Sequence, residues 1–178
     1  MKEKGFTLIE ILIVIGIIGV LASVILGNVN TAREKGMTAK VKSELRNIRT
    51  AIALLADDTG KWPNGCPIGS STNPEVALDD AQAGIKERPS AGDQGDGCIW
   101  TASDVANWNG PYMDTPVDPW GNSYDFDPDY RPGDNLDESL NCDETNNTVN
   151  DIVAIVSYGE DGIGRNRYNC DDIYLELR

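Results

Sequence analysis

The sequence predicts an α+β fold in which a long N-terminal helix packs against a globular head that contains a small antiparallel β-sheet. An apolar run leads directly into an amphipathic helical pattern, which extends the same helix to about residue 56. After it, short strand-like segments alternate with turn signals, as in small antiparallel sheets. We therefore divide the chain into a short basic stretch (1–5), an apolar helical segment (6–27), an amphipathic half of the same helix (28–56) and a head (57–178).

Composition excludes several classes of function. The chain of 178 residues has a net charge of −14 and no histidine. The missing histidine excludes Ser-His-Asp and Cys-His catalysis and histidine metal sites. Residues 1–56 hold eight basic and four acidic residues, whereas 57–178 hold seven and 25, a net charge of −18. Because phosphate binding needs clustered Lys and Arg, this acidic head argues against nucleic acid as a direct partner.

The apolar run Phe6–Leu26 contains a single charge, Glu10. As a helix it would be about 31 Å long, close to the thickness of a bilayer core of roughly 30 Å. Lys2 and Lys4 precede it, so the positive-inside tendency places Met1 in the cytoplasm and the head outside. We therefore predict a single-pass membrane anchor. The alternative is a secretory signal peptide that is removed whole, but the run exceeds the usual apolar core of about 7–15 residues.

Glu10 is unusual because a lone carboxylate in an apolar helix is costly unless it finds a partner. A freshly cleaved α-amino group on an adjacent subunit is one such partner.

The amphipathic half of the helix has apolar residues three or four positions apart and basic residues on the other side. The basic side chains either face solvent or meet acidic surface of the same or an adjacent subunit. The helix should end at Asp57-Asp58-Thr59-Gly60, since glycine is a favoured terminator. The apolar positions are Met37, Val41, Leu45, Ile48, Ile52 and Leu55, and the basic ones are Arg33, Lys35, Lys40, Lys42, Arg46 and Arg49.

Within the head we predict strands at Ser123–Phe126, Ile152–Ser157 and Ile173–Leu177, and a short helix around Glu75–Lys86. The acidic tract Asp125-Phe126-Asp127-Pro128-Asp129 could bind a metal ion. It lacks the glycine of an EF-hand and contains proline, so we interpret it as a solvated loop.

The N-terminal tract Gly5-Phe6-Thr7-Leu8-Ile9-Glu10, behind a short basic leader, resembles the processing signal of type IV pilins and type II secretion pseudopilins. The resemblance implies that a prepilin peptidase cuts between Gly5 and Phe6 and methylates Phe6. It also implies that Glu10 pairs with the N-terminus of a neighbouring subunit during assembly. Many family members carry proline where this chain has Gly27, so a bend there is less compelled.

The head is similar to major pseudopilins of type II secretion in the tracts Gly110-Pro111-Tyr112, Asp118–Asn122 and Ser157–Gly162. The resemblance implies a pilin-like fold and a structural subunit, not an enzyme, that polymerises with copies of itself. Implied partners are the prepilin peptidase, the inner-membrane assembly platform, minor pilins or pseudopilins, and the membrane before assembly. The filament would be periplasmic, or, if the chain is instead a type IV pilin for adhesion, motility or DNA uptake, on the cell surface.

Residues 157–172 form a glycine-rich, acidic segment, the C-terminal loop. It is a candidate calcium site, because hard cations take six to eight oxygen ligands. Solvated loop acids are the common alternative. Major pseudopilins bind calcium in the corresponding loop, so the resemblance implies the Tyr158 carbonyl, Asp161 and Asp172 as ligands, with Asp171 a weaker candidate. Two basic residues within the loop, Arg165 and Arg167, would oppose a dication.

The four cysteines all fall on the exported side, where disulfides persist. Three pairings are possible; we favour Cys66–Cys98 and Cys142–Cys170. A Cys₄ zinc site is the alternative, although no Cys-x₂₋₄-Cys spacing supports it.

Three further interpretations come from other functional classes. The four tryptophans could line a sugar-binding face, although core or turn packing is their usual role. A membrane-anchored hydrolase would use paired carboxylates, but no pair stands out and no nucleophile motif is present. A calcium-dependent binding module would bind its target as an isolated head.

Overall fold

The computed structural model describes residues 5–114, 117–132, 151–164 and 171–177, and the side chains of 24–28 are not described. The chain forms two compact units, Met1–Ala39 and Lys40–Arg178. In chain order the elements are helix α1 (Leu8–Thr59), β1 (Val76–Ala77), a 3₁₀ turn (Ala81–Ala83), β2 (Gly92–Gly95), β3 (Cys98–Trp100), helix α2 (Ala102–Asn107), β4 (Asp125–Tyr130), β5 (Ile152–Ser157) and β6 (Ile173–Glu176). The predicted α+β fold, a long N-terminal helix with a small antiparallel sheet, is confirmed.

The last part of α1 supplies one wall of the core of the second unit. Five of the six predicted apolar positions of α1 are 0–1% exposed and the sixth, Met37, is partly exposed, whereas the predicted basic residues are exposed. Full burial of a large aliphatic side chain contributes about 1.5–3 kcal/mol, so this stripe is a major source of stability. The buried positions are Val41, Leu45, Ile48, Ile52 and Leu55.

Helix α1 ends where the sequence predicts. Gly60 adopts a left-handed φ of 72°, and its N–H donates to the Ala56 carbonyl at 2.9 Å. The Thr59 hydroxyl donates to the Leu55 carbonyl at 2.7 Å. These bonds satisfy carbonyl groups that the end of a helix leaves without intrahelical donors. Helix α1 continues through Gly27, where a bend was possible but less compelled than with proline.

Strands β1, β4, β5 and β6 form one antiparallel sheet in the order β1-β4-β5-β6. Phe126 pairs with Ile155, and Ile155 pairs with Leu175. Phe126 and Ile155 are fully buried in the core against α1. Because side chains alternate along a strand, Asp125 and Asp127 face the opposite side of the sheet.

The strand predictions are correct in two cases and need correction in the third. Strand β5 has its predicted bounds, and β6 is one residue shorter than predicted. The third strand begins at Asp125 and continues to Tyr130, so interpreting 125–129 as a solvated loop was wrong. Pro128 misled the interpretation. It lies where the β4–β5 register shifts between Asp127 and Tyr130, and a strand tolerates proline at such an irregularity.

The helix predicted around 75–86 is also wrong. This segment instead contains β1 and a single 3₁₀ turn. The Asp80 carboxylate caps the start of that turn, and Gly84, with a left-handed φ of 69°, ends it. Caps this close together leave room for one turn only.

The four tryptophans pack in or against the core, the usual role of such side chains. Trp100 is fully buried and Trp62 is 7% exposed, while Trp108 and Trp120 pack against the same cluster. The Trp100 indole N–H donates to the Gln82 carbonyl at 2.9 Å, which satisfies its buried polar atom.

Candidate functional site

The predicted processing residues lie in irregular backbone just before α1. Phe6 is 85% exposed. A Cβ placed on Gly5 would meet no other atom within 4 Å. Within the described part of the chain, the Gly5–Phe6 bond is therefore open to an enzyme.

The predicted assembly residue, Glu10, is bound to Thr7 at the start of α1. Its Oε2 accepts hydrogen bonds from the Thr7 backbone N–H and hydroxyl, each at 2.8 Å. The Glu10 N–H donates to the Thr7 hydroxyl at 3.3 Å. This is a reciprocal capping box, with a threonine at the cap and a glutamate three residues later. The role of Thr7 was not predicted, although the spacing Thr7-Leu8-Ile9-Glu10 signals it.

The first part of α1 exposes an apolar surface. Twelve large apolar side chains between Phe6 and Leu21 are 51–85% exposed. Soluble monomers rarely expose so large a contiguous patch, and such patches mark protein or membrane contacts. The transmembrane segment predicted at 6–27 is not confirmed, because a helix with the length and hydropathy of a membrane span is absent from the described residues.

A tight turn after residue 117 holds the C-terminal loop in place. Asp118 Oδ1 accepts the N–H groups of Trp120 and Asn122, at 3.0 and 2.8 Å. Its Oδ2 accepts the Ser157 hydroxyl at 2.7 Å, and the Asn122 amide donates to the Gly159 carbonyl at 2.8 Å. These side chains connect the two head tracts that carry the family resemblance, a role that the sequence analysis did not assign to them.

The loop itself brings two of the predicted calcium residues together. The Asp161 N–H donates to Asp171 Oδ2 at 3.2 Å, and Asp161 Oδ1 accepts the Ile163 N–H at 2.7 Å. Gly159 has a left-handed φ of 63°, and a Cβ there would collide with the Asp171 carboxylate. Only glycine therefore allows Asp171 to approach this backbone.

The side chains of Tyr158 and Asp172 are bonded to residues of β4. The Tyr158 hydroxyl donates to Asp125 Oδ2 at 3.3 Å, and the Tyr130 hydroxyl donates to Asp172 Oδ2 at 3.2 Å. Burial and the nearby Asp172 carboxylate raise the pKa of Tyr130. Among the described acidic residues, Asp161, Asp171 and Asp172 do not form a close group of three ligand atoms. Arg165 and Arg167 lie outside the described residues.

A different group of acidic side chains does come together, at the junction of β1 and β4. Glu75, Asp127 and Asp129 place ligand atoms within 4.8 Å of one another. Burial and the charge of Glu75 raise the pKa of Asp127 to about 8. The alternation Asp125-x-Asp127-x-Asp129 signals carboxylates on one strand face, whereas the contribution of Glu75 depends on tertiary structure.

The predicted Cys66–Cys98 disulfide is confirmed, and it closes a loop with a sequence separation of 32. Because these two sulfurs are bonded to each other, the alternative Cys₄ zinc site is excluded. Cys142 and Cys170, the second predicted pair, lie outside the described residues.

Comparisons with known proteins support the resemblance both at the N-terminal motif and over most of the chain. Residues 1–26 match the family model for the prokaryotic N-terminal methylation motif. Over 125 residues the chain is 31% identical to the type II secretion system core protein G of Escherichia coli (strain K12), which covers 69% of this chain and 70% of that protein. The chain belongs to the type II secretion system core protein G family.

This core protein G family member also has relatives among both secretion and fimbrial proteins. Core protein G of Pseudomonas aeruginosa is 26% identical over 130 residues, which cover 70% of this chain and 73% of that protein. The type IV major fimbrial protein FimA of Dichelobacter nodosus is 36% identical over 95 residues, which cover 53% and 59%. No solved structure matches the chain.

Proposed function

We propose that this chain is the repeating structural subunit of a pilus-like filament, the major pseudopilin of a type II secretion system, and that it is not an enzyme. The observation that carries the proposal is the relationship to core protein G, which spans 70% of the E. coli protein. The methylation motif at residues 1–26 supports it independently.

The exposed start of α1 supports assembly through helix packing. The apolar side chains between Phe6 and Leu21 need a cover that the described residues do not provide. The inner membrane would cover them in the precursor, with the head on the periplasmic side. The α1 helices of neighbouring copies would cover them in the filament. Because the apolar surface stays out of water when a subunit moves from the membrane into the filament, assembly does not oppose the hydrophobic effect.

Processing and Glu10 would determine how neighbouring helices align. Cleavage by a prepilin peptidase after Gly5 creates a new positively charged amine at Phe6. A carboxylate among apolar helices is stabilised only by a partner that offsets its lost hydration. Within one chain the Thr7 N–H and hydroxyl donate hydrogen bonds to the Glu10 carboxylate. In the filament the Phe6 amine of an adjacent copy would add the opposite charge. An inner-membrane assembly platform and minor pseudopilins complete the proposed set of partners.

Calcium binding by the C-terminal loop is a second part of the proposal. The bond between the Asp161 N–H and Asp171 supports it, because it holds two carboxylates at the mouth of the loop. The Tyr158 carbonyl and Asp172 would complete the set. The ion would supply positive charge that holds these acidic groups together.

A type IV pilin of a surface pilus is the alternative, favoured by the 36% identity to a fimbrial protein. Shearing cells that make the chain at its native level separates the two. A secretion pseudopilin should stay with the cell envelope, and electron microscopy should show no long fibres. Long sheared fibres that contain the chain would instead establish the surface pilus.

Processing and assembly can be tested separately with two variants. Mass spectrometry should find a mature chain that begins at methylated Phe6, and Gly5→Val should leave the precursor uncut. Glu10→Gln should be cut normally but should not form cross-linked subunit ladders or support secretion. Glu34→Gln, which removes another exposed acid of α1, is the matched control. If Glu10→Gln assembles and secretes as the control does, the proposed role of Glu10 is wrong.

A further inference from the structure

The far face of the sheet carries a buried row of carboxylates. Asp127 is 0% exposed, and Asp125 is 3% exposed. The register between β1 and β4 pairs Val76 with Phe126, so the antiparallel pairing continues to Glu75 beside Asp127. Asp129, two residues further along β4, contributes a ligand atom to the same group.

One oxygen of Asp127 has no hydrogen-bond donor among the described residues. Its Oδ1 accepts the Asp129 N–H at 3.0 Å, but within that part of the chain the buried Oδ2 receives no hydrogen bond. A buried carboxylate oxygen without a donor is rare in folded proteins, because burial removes the water that would serve it. This oxygen lies in the same group as ligand atoms of Glu75 and Asp129. The arrangement calls for a positively charged occupant.

We propose that Glu75, Asp127 and Asp129 bind a calcium ion at the junction of β1 and β4. All three ligands are carboxylate oxygens, which hard cations prefer. The three ligand atoms lie within 4.8 Å of one another, so a single ion can contact all of them. Mg²⁺ demands near-ideal octahedral geometry and loses its water reluctantly, whereas Ca²⁺ accepts irregular sets of carboxylates, so this buried group favours Ca²⁺.

Burial and like charge support the same conclusion. Asp127 is buried beside two further carboxylates, Glu75 and Asp129, whose negative charges repel its own. A divalent ion removes this repulsion by providing the opposite charge at the centre of the group. The site is distinct from the C-terminal loop, since it uses none of the residues predicted there.

The ion would fasten a weakly attached segment to the sheet. Strand β1 is only two residues long, and Glu75 immediately precedes it. The Asn73 amide donates to Asp129 Oδ2 at 3.0 Å, so Asp129 already orients the chain that leads to β1. Calcium would thus connect the disulfide-closed region to β4.

The test is calorimetric titration of the mature full-length chain, purified in detergent and stripped with a chelator. An Asp161→Asn background removes the predicted loop site. In that background we expect one Ca²⁺ per chain, a higher melting temperature with calcium, and at least tenfold weaker binding of Mg²⁺. Adding Asp127→Asn, which keeps the size of the side chain, should weaken calcium binding at least tenfold and abolish the thermal shift. Adding Asp93→Asn, which changes an exposed acid of β2, should alter neither calcium binding nor the thermal shift.

Three results would overturn the proposal. One is that the Asp161→Asn chain binds no calcium at millimolar concentration, and another is equal binding with and without Asp127→Asn. The third is Mg²⁺ binding as tight as that of Ca²⁺. Glu75→Gln provides a second route if Asp127→Asn does not fold. Because the purified chain is measured, none of these outcomes depends on filament assembly.

Discussion

Individual side chains hold the C-terminal loop against the sheet. Asp118 uses one carboxylate oxygen within its own turn and the other on Ser157, and Asn122 reaches the Gly159 carbonyl. Gly159 in turn leaves space for Asp171. The position of the loop therefore depends on two short side chains, Asp118 and Asn122, and on the missing side chain of Gly159. Even conservative substitutions at these three positions should disturb it.

Gly159→Ala should destabilise the chain more than another glycine substitution with a similar backbone. A left-handed conformation alone costs a non-glycine residue about 1–2 kcal/mol, and at Gly159 the collision with Asp171 adds to this cost. Gly69→Ala is the control, because Gly69 has a φ of 86° and no atom of the described residues lies within 4 Å of its Cβ position. Urea unfolding measures both losses. Equal losses would show that Asp171 does not need this space.

Stability in chelator-treated buffer should fall as the pH rises from about 4 to about 8. The pKa of Asp127 is raised to about 8 in the folded chain, whereas an unfolded aspartate titrates near 3.9. Between these values the folded state holds a proton that the unfolded state has lost, so rising pH favours unfolding. Asp127→Asn should flatten the profile. Urea midpoints at pH 5, 6, 7 and 8 test this, and parallel profiles for the two chains would contradict it.

Helix α1 has two different apolar surfaces. From Val41 to Leu55 its stripe is buried by the head, and from Phe6 to Leu21 its side chains are exposed. The disulfide Cys66–Cys98 fastens the region that follows α1. The buried stripe and the disulfide each make a separate contribution to stability that substitutions can measure.

Ile48→Ala should lower the free energy of unfolding by about 2–5 kcal/mol, because it opens a cavity in a closed core. Leu54→Ala on the same helix is the control. Leu54 is 50% exposed, so its loss should stay below about 1 kcal/mol. Denaturant unfolding measures both, and a comparable effect of the two changes would mean that the stripe does not carry the core.

Replacing both Cys66 and Cys98 by alanine should destabilise the chain by about 3–4 kcal/mol. The bridge closes a loop of 32 residues, and its removal returns conformational entropy to the unfolded chain. Urea unfolding of the double variant measures this loss. A change below about 1 kcal/mol would show that the region is held by its packing alone.

The whole molecule is electrically divided. Residues 1–56 carry a net charge of +4 and residues 57–178 one of −18. On α1, Lys40 pairs with Glu44 at 3.6 Å, while Arg46 and Arg49 are exposed. In a filament these exposed cations would meet acidic surface of adjacent copies, whereas in solution they are solvated.

Arg46→Gln together with Arg49→Gln should therefore reduce assembly in cells without impairing folding. Lys86→Gln with Arg88→Gln makes the same change in net charge away from α1 and should have a smaller effect. Cross-linked subunit ladders from the cell envelope measure assembly. Because exposed ion pairs contribute only about 0.2–1 kcal/mol each and salt screens them, the wild-type ladder should also shorten at high salt. Indistinguishable ladders for the two double variants would leave these cations without a role in assembly.

The sequence by itself determined the features that depend on local order along the chain. The spacing of apolar residues predicted the buried stripe of α1, Gly60 predicted its end, and β5 followed from a continuous apolar run. The processing tract Gly5-Phe6 and Glu10 could be predicted because its residues are consecutive.

Only the tertiary structure decided which distant residues meet. Pro128 signals a loop in the sequence, yet pairing with β5 makes its segment a strand. Glu75 joins Asp127 because β1 pairs with β4, and Asn122 reaches Gly159 across 37 positions. Local pattern cannot specify such contacts, because they depend on how strands pair and on which face each side chain takes. The candidate calcium site at the junction of β1 and β4 is therefore visible only once the sheet has formed.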